Sequence, residues 1–349
     1  MEPFSQVELQ LAARNHGMPL EALRYPVTPV GLHYLLIHYD IPAVDEPSFA
    51  LTIDGHVERN LTLGLDDLRA RSAAELEVTM ECAGNGRALL PDPRPVSQPW
   101  LNEALGTAAW AGTPLAPLLA EATPRDGAVE VVFTGLDRGV EGGAEQDYAR
   151  SLTIEEATRP DVLLAYGMNG GPLLPQHGFP LRLVVPGWYG MTSVKWLTRI
   201  TVIERPFEGY QQAHAYRFRR SEDDPGEPVT RIVPRALMVP PGLAGFPARE
   251  RTLAAGPTVI EGRAWSGWAP ITSVQFGVDG QWTEASLDPS SGRWAWRGWR
   301  AEWDATPGEH VLTCRAHDAA GNSQPDDADW NTGGYANNGV QRVPVTVVQ

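Results

Sequence analysis

The sequence predicts an α+β fold in two parts: a mixed region of strands and short helices over residues 1–225, then an immunoglobulin-like β-sandwich over residues 226–349. Three observations carry this. Strands and short helices alternate in the first part without a regular βαβ rhythm, which argues against a doubly wound sheet. The stretch RRSEDDPGEPVTRIVPRALMVPPG (219–242) is charged and rich in proline and glycine, as linkers are. Beyond it, short alternating strands recur at regular spacing, the pattern of an antiparallel sandwich.

Residues 1–30 read as an irregular arm with one short helix. HYLLIHYDIP and FALTIDGHV follow as strands. LGLDDLRAR (63–71) reads as a short helix, and LEVTMECAG as a strand that runs into a glycine loop. TPLAPLLAEA (113–122) is a second helix. AVEVVFTGLD (128–137) is a strand ending on Asp137. LTIEEATRP (152–160) is a helix stopped by Pro160. DVLLAYGMNGGPL, FPLRLVVPG and VKWLTRITVIE are further strands. In the second part, TVIEGRAWSG, ITSVQFGVDG, RWAWRGWRAEW, EHVLTCRAHDAAGN and GVQRVPVTVV supply the sandwich strands. Eight of the 12 tryptophans lie beyond residue 260, where they are expected to fill the sandwich core and a domain interface.

Composition narrows the function classes. The chain has 349 residues, 42% of them hydrophobic, with 35 glycines and 31 prolines, enough for a large core with many loops. A net charge of −15 offers nothing to nucleic acid or an anionic membrane and suits a basic redox partner. No window approaches a membrane span. The N-terminal segment has no apolar signal region, so the expected location is the cytoplasm, or the periplasm if an export signal has been trimmed. Phosphate loops, GxGxxG, GxSxG and CxxC are absent. His33 and His38 are five apart on an expected strand, hence on opposite faces and a poor zinc pair.

Two features stand out as chemistry. MECAGNGR (80–87) places Cys82 in an uncrowded glycine loop with Arg87 five residues on. A nearby guanidinium lowers a thiol's pKa, and a thiolate is a soft metal ligand. Cys314, in the alternating HVLTCRAHD, reads as a small core residue instead. HGFPLRLVVPGWYGMTSVKW (177–196) gathers His177, Arg182 and Lys195. Lys195 is the only lysine; the other 27 basic residues are arginine. It reads as a specific anion contact.

CAGNGR, HGFPLR…VPG…VKWL and the late AWSG…WAW…QPD…WN run resemble the sulfite oxidase family, in the right order over roughly residues 25–349. The resemblance implies a molybdenum-cofactor domain of mixed α/β type followed by an immunoglobulin-like dimerisation domain, in a bacterial-type chain. Only that core is matched, without the haem-binding cytochrome b5 module of animal members, so no haem is expected in this chain. Cys82 would ligate molybdenum. His38, Tyr39, Asp137, His177, Arg182, Ser193, Val194 and Lys195 would hold the pterin and its phosphate. Arg87 would line the substrate pocket, and Tyr216 would hydrogen-bond near the reacting oxygen. The implied partners are a small oxyanion, sulfite, an external acceptor such as a cytochrome, and a second copy of the chain. Two departures matter. Ile37 and Gly333 stand where family members carry arginines that hold the sulfite dianion, leaving Arg87 with help from His38 or Arg217. The implied activity is oxidation of sulfite to sulfate; the alternative is reduction of an S-oxide, N-oxide or nitrate at the same site. A third reading, a cofactor-free binding protein, conflicts with the joint presence of Arg87, His177 and Lys195.

Overall fold

A computed structural model describes residues 14–92, 97–246 and 248–349. Strands hold 43% of the described residues and helices 13%, so sheets organise the molecule and the helices are short. The first part contains two five-stranded sheets. One runs in the order Leu61–Gly64, Ala50–Gly55, Leu197–Ile203, Glu130–Glu141, Ala144–Thr153. Ala50–Gly55 pairs parallel with Leu197–Ile203, and the other pairings are antiparallel. The other sheet holds Ala74–Glu81, Leu105–Pro114, Leu163–Met168, Gly171–Pro172 and Arg182–Val184. The helix Leu115–Ala122 buries Leu115, Leu118, Leu119 and Ala122, its apolar face at helical spacing, in the core of the first sheet.

The second part is a sandwich. A four-stranded sheet built on Gly256–Trp265 and Arg297–Ala305 faces a six-stranded one built on Ile271–Val278, Gly308–Asp318 and Gln341–Val348. Trp299, Phe276 and Cys314 lie in its core. Cys314 is fully buried, and its Sγ donates to the Ala236 carbonyl at 3.4 Å. Both cysteines are free thiols. Trp265 and Trp296 instead join a cluster between the two parts with Ala83, Leu105, Tyr189 and Tyr216. Trp294 lies on the cation face of Arg159 and donates to Asp161 at 2.7 Å.

Three expected elements differ. HYLLIHYDIP is no strand; beyond a short helical turn at Val30–Leu32, only Leu35 forms a bridge, to His16. Its backbone is engaged by side chains instead: Asn15 Oδ1 accepts from the Ile37 N–H at 2.6 Å, and the Leu36 carbonyl accepts from Lys195 Nζ at 2.9 Å. The linker is interrupted by a buried strand, Arg235–Met238, paired with Gly256–Trp265. Its alternation explains the burial: Ala236 and Met238 face the sandwich core, while Leu237 faces the cluster between the two parts. The strand expected to end on Asp137 continues to Glu141. The beginning of the N-terminal arm lies outside the described residues; from Leu20 to Arg24 it forms the expected short helical turn.

Candidate active site

The strand Ala74–Glu81 delivers Cys82 into a tight turn. The Cys82 carbonyl accepts from the Asn85 N–H at 2.9 Å, and the Gly84 carbonyl accepts from the Arg87 N–H at 3.0 Å. Gly86 adopts φ +86°, open to glycine at little cost. Gly84 is fixed by close approach: a Cβ there would lie 2.6 Å from an Arg87 guanidinium nitrogen. Gly84→Ala is therefore expected to displace Arg87 and raise the KM for an anionic substrate on the order of tenfold or more, with the fold retained; steady-state kinetics beside circular dichroism check this.

Beneath the turn, Glu81 and Arg235 form a buried ion pair at 2.6 Å, each about 2% exposed. Asn85 Nδ2 and Trp265 Nε1 also donate to the Glu81 carboxylate, at 2.9 and 2.8 Å. Arg235 reaches Asn102 Oδ1 at 2.5 Å. The sandwich thus grips the cysteine turn through Arg235 and Trp265. No sequence motif announced this network.

Cys82 stands where two cavities meet. Leu36, His38, Cys82 and Tyr216 line both. The first, of about 50 Å³, is lined further by His33, Asp137, His177, Arg182, Ser193 and Lys195. The second, of about 90 Å³, is lined by Arg87, Trp100, Glu141, Gln211 and Tyr335 among others. Most residues expected at the site are therefore brought together. Two are not. Val194 has its side chain in the hydrophobic core. Tyr39 lines neither cavity; its hydroxyl donates to Glu141 Oε2 at 2.9 Å.

The polar groups of the first cavity are only partly satisfied. His33 Nε2, Asp137 Oδ1 and Arg182 Nε are buried and make no hydrogen bond within the protein. Arg182 is oriented by the His177 carbonyl at 3.0 Å and the Ser193 carbonyl at 3.1 Å, and lies 4.6 Å over Trp110. Ser193 Oγ accepts from the Val185 N–H. Lys195 Nζ donates to the Leu36 and Gln176 carbonyls. Burial pushes Lys195 down to about 7, with Arg182 adding repulsion and Asp137 opposing. Burial raises Asp137 to about 7 and lowers His177 to about 3. Orphaned polar atoms beside cations that burial discourages from carrying charge are what a buried anionic, heteroatom-rich ligand would satisfy. The lining therefore fits a pterin with a phosphate.

In the second cavity, Arg87 is held from behind. Its Nε donates to the Gly333 carbonyl at 2.7 Å, one terminal nitrogen donates to the Gln98 carbonyl at 3.0 Å, and its guanidinium lies 5.3 Å from the Tyr335 ring centre. Gly333, where an arginine was absent, is closed to any side chain in this arrangement: a Cβ would lie 2.3 Å from the Tyr335 ring. His38 Nε2 and the Tyr216 hydroxyl share a hydrogen bond of 2.6 Å. Burial, with Lys195 and Arg150 adding repulsion, pushes His38 down to about 3, so it is neutral at physiological pH and adds no charge for an anion. Arg217 does not help either. It is bound to the Pro225 and Gly226 carbonyls, outside both cavities.

The electrostatics of Cys82 reverse the sequence-based expectation. Burial pushes its thiol up, and Arg87 opposes this only in part. A buried thiol is deprotonated by a coordinating metal rather than by a neighbouring guanidinium alone. Sequence reasoning also missed Arg150, which is 1% exposed, donates to the Gln211 carbonyl and lies 5.5 Å from the Tyr216 ring centre. Tyr216 itself follows a single π-helical turn, Gln211–Ala215, a distortion frequent at functional sites. Trp100, Glu141 and Gln211 carried no local signal.

Comparison with known proteins identifies the family. The oxidoreductase molybdopterin binding domain family matches residues 38–211, and the Mo-co oxidoreductase dimerisation domain family matches residues 247–348. The chain is 34% identical to the mitochondrial sulfite oxidase of Mus musculus, covering 92% of this chain but only 62% of that protein. It is 34% identical to the sulfite oxidase of Arabidopsis thaliana, over 91% of this chain and 87% of the relative. NADH nitrate reductase 2 of Phaseolus vulgaris is 31% identical, with 41% of its length covered. Among solved structures, the sulfane dehydrogenase SoxCD from Paracoccus pantotrophus superimposes with a TM-score of 0.83 at 25% identity, over the whole of this chain and 93% of that one. With both domain families matched in order and a plant relative matched over 87% of its length at this identity, the chain belongs to the sulfite oxidase family of molybdopterin-dependent oxidoreductases.

Proposed function

We propose that this protein oxidises sulfite to sulfate, with water as the oxygen source and two protons and two electrons released, the electrons to an external acceptor such as a cytochrome. The observation that carries the reading is the position of Cys82 at the junction of a cavity lined by His177, Arg182 and Lys195 and a second cavity holding a guanidinium. Bound there, a molybdenum-pterin would supply oxygen-atom transfer and two-electron redox chemistry. Cys82 would be its thiolate ligand. Lys195, Arg182, His177, His33 and Asp137 would hold the pterin and phosphate. Ser193 and Val194 would act through the backbone segment that orients Arg182, and Tyr39 only through Glu141. Arg87 would bind and orient the oxyanion, and Tyr216, steadied by neutral His38, would hydrogen-bond to the transferred oxygen. We divide the chain near residues 225 and 226, class the first part as α+β, and assign the sandwich to a homodimer contact, in line with the matched dimerisation domain.

The test is sulfite-dependent ferricyanide reduction by protein of known molybdenum content. Saturable reduction is expected, and Arg87→Gln should raise the sulfite KM at least about tenfold, because a charge-assisted contact to the anion is lost. No reduction by molybdenum-loaded protein would overturn the substrate assignment. A second reading, reduction of an S-oxide, N-oxide or nitrate, is favoured by one observation: Tyr335 fills the space where a second arginine would enter at Gly333. Turnover of such an oxide with reduced viologen, without sulfite oxidation, would select it.

A further inference from the structure

The substrate cavity contains a carboxylate. Glu141, at the end of the strand Glu130–Glu141, lines it together with Cys82, Arg87 and Trp100. Its Oε2 accepts from the Tyr39 hydroxyl at 2.9 Å and from Gln211 Nε2 at 2.6 Å. Both partners are neutral donors, so neither brings a positive charge to the carboxyl group. Oε1 takes part in neither bond. The residue is also fixed from below. Gln146 Nε2 donates to its backbone carbonyl at 3.3 Å, and Gly142, next in the chain, turns at φ +61° against the Tyr210 ring. Gln211 in turn belongs to the π-helical turn that leads to Tyr216. Among the described residues Arg87 is the one permanently charged cation lining this cavity, and His38 there is neutral. Apart from Cys82, the described lining therefore sets one acidic side chain, Glu141, against one permanent cation, Arg87.

We propose that Glu141 determines substrate charge: it disfavours dianions and selects an oxyanion with a single negative charge, hydrogensulfite rather than sulfite, or a monoanion such as nitrate. This rests on the assignment of the cavity as the substrate site. The physical reason is that Coulomb energy is proportional to the charge of the ligand. A fixed carboxylate penalises a dianion twice as much, in free energy, as a monoanion in the same place. A protonated oxyanion can in addition donate a hydrogen bond to Glu141, which a dianion cannot.

Proportionality gives a test that a merely structural role would not pass. Binding of sulfate and of nitrate to the oxidised holoenzyme is measured by tryptophan fluorescence or calorimetry, without turnover. Glu141→Gln keeps the shape and a hydrogen-bonding oxygen for Tyr39 and Gln211. It is expected to tighten nitrate roughly threefold and sulfate roughly tenfold, about the square of the first factor. Glu141→Asp retains the charge and should retain the preference for nitrate. In kinetics, the Glu141→Gln change should appear in KM and in its pH dependence, with kcat little altered. Equal changes for the two anions, or none, would overturn the role of Glu141 while leaving the cavity an anion site. Failure of either anion to bind, in wild type and variant alike, would overturn the assignment of the cavity and the proposal with it.

Discussion

Replacement of Cys82 by serine is expected to reduce turnover by at least about a hundredfold while leaving the fold unchanged. The lower bound follows from metal sites in general, where loss of a group that merely supports a ligand already costs about 10- to 100-fold. The fold should survive because the sulfur's neighbours are held by other means. The Cys82 N–H donates to the Ala104 carbonyl, the Ala83 carbonyl accepts from the Ala336 N–H, and Asn85 binds Glu81. Serine is smaller and harder as a ligand, and its hydroxyl ionises less readily than a thiol. Turnover and molybdenum content measured together separate loss of chemistry from loss of cofactor. Full activity in the variant would remove Cys82 from the site.

The second large effect concerns stability. Arg235→Met leaves Glu81 buried without its counter-charge, and breaking one side of such a pair costs about 3–5 kcal/mol. For a chain of this size that corresponds to a fall in Tm on the order of 10 °C. Activity should fall as well, because Glu81 is shared with Asn85 in the cysteine turn and with Trp265 in the sandwich. Adding Glu81→Leu should recover only part of the loss. It removes the stranded charge but deprives Asn85 and Trp265 of their acceptor. Thermal unfolding of the single and double variants checks both statements; a Tm unchanged in Arg235→Met would show that the two parts do not depend on this pair.

What the sequence made legible follows from residue type. Cys82, Arg87 and Lys195 were visible because each is unusual in its setting: a thiol among glycines, a guanidinium on the same turn, and a lone lysine. The three line two adjoining cavities. The sandwich strands were legible because one face of each is buried. Other features depend on contacts across long separations. His38 and Tyr216 meet over 178 residues, and Glu81 and Arg235 over 154. HYLLIHYDIP carries strand-like residues, but Asn15 and Lys195 occupy the backbone groups that a neighbouring strand would need. Arg235–Met238 was hidden by the prolines around it. Glu141 and Arg150 look like ordinary charges on a hairpin; only the closing of the π-helical turn over that hairpin makes them part of the site. The sign of the Cys82 shift was misjudged because Arg87 is evident in the sequence and burial is not.

The most direct test of the site as a whole is X-ray absorption at the molybdenum edge, on wild type and on Cys82→Ser loaded with cofactor to the same extent. Loss of one sulfur scatterer in the variant, with the others retained, is the expected result and would fix Cys82 as the protein's ligand. Identical sulfur shells in the two proteins would contradict it.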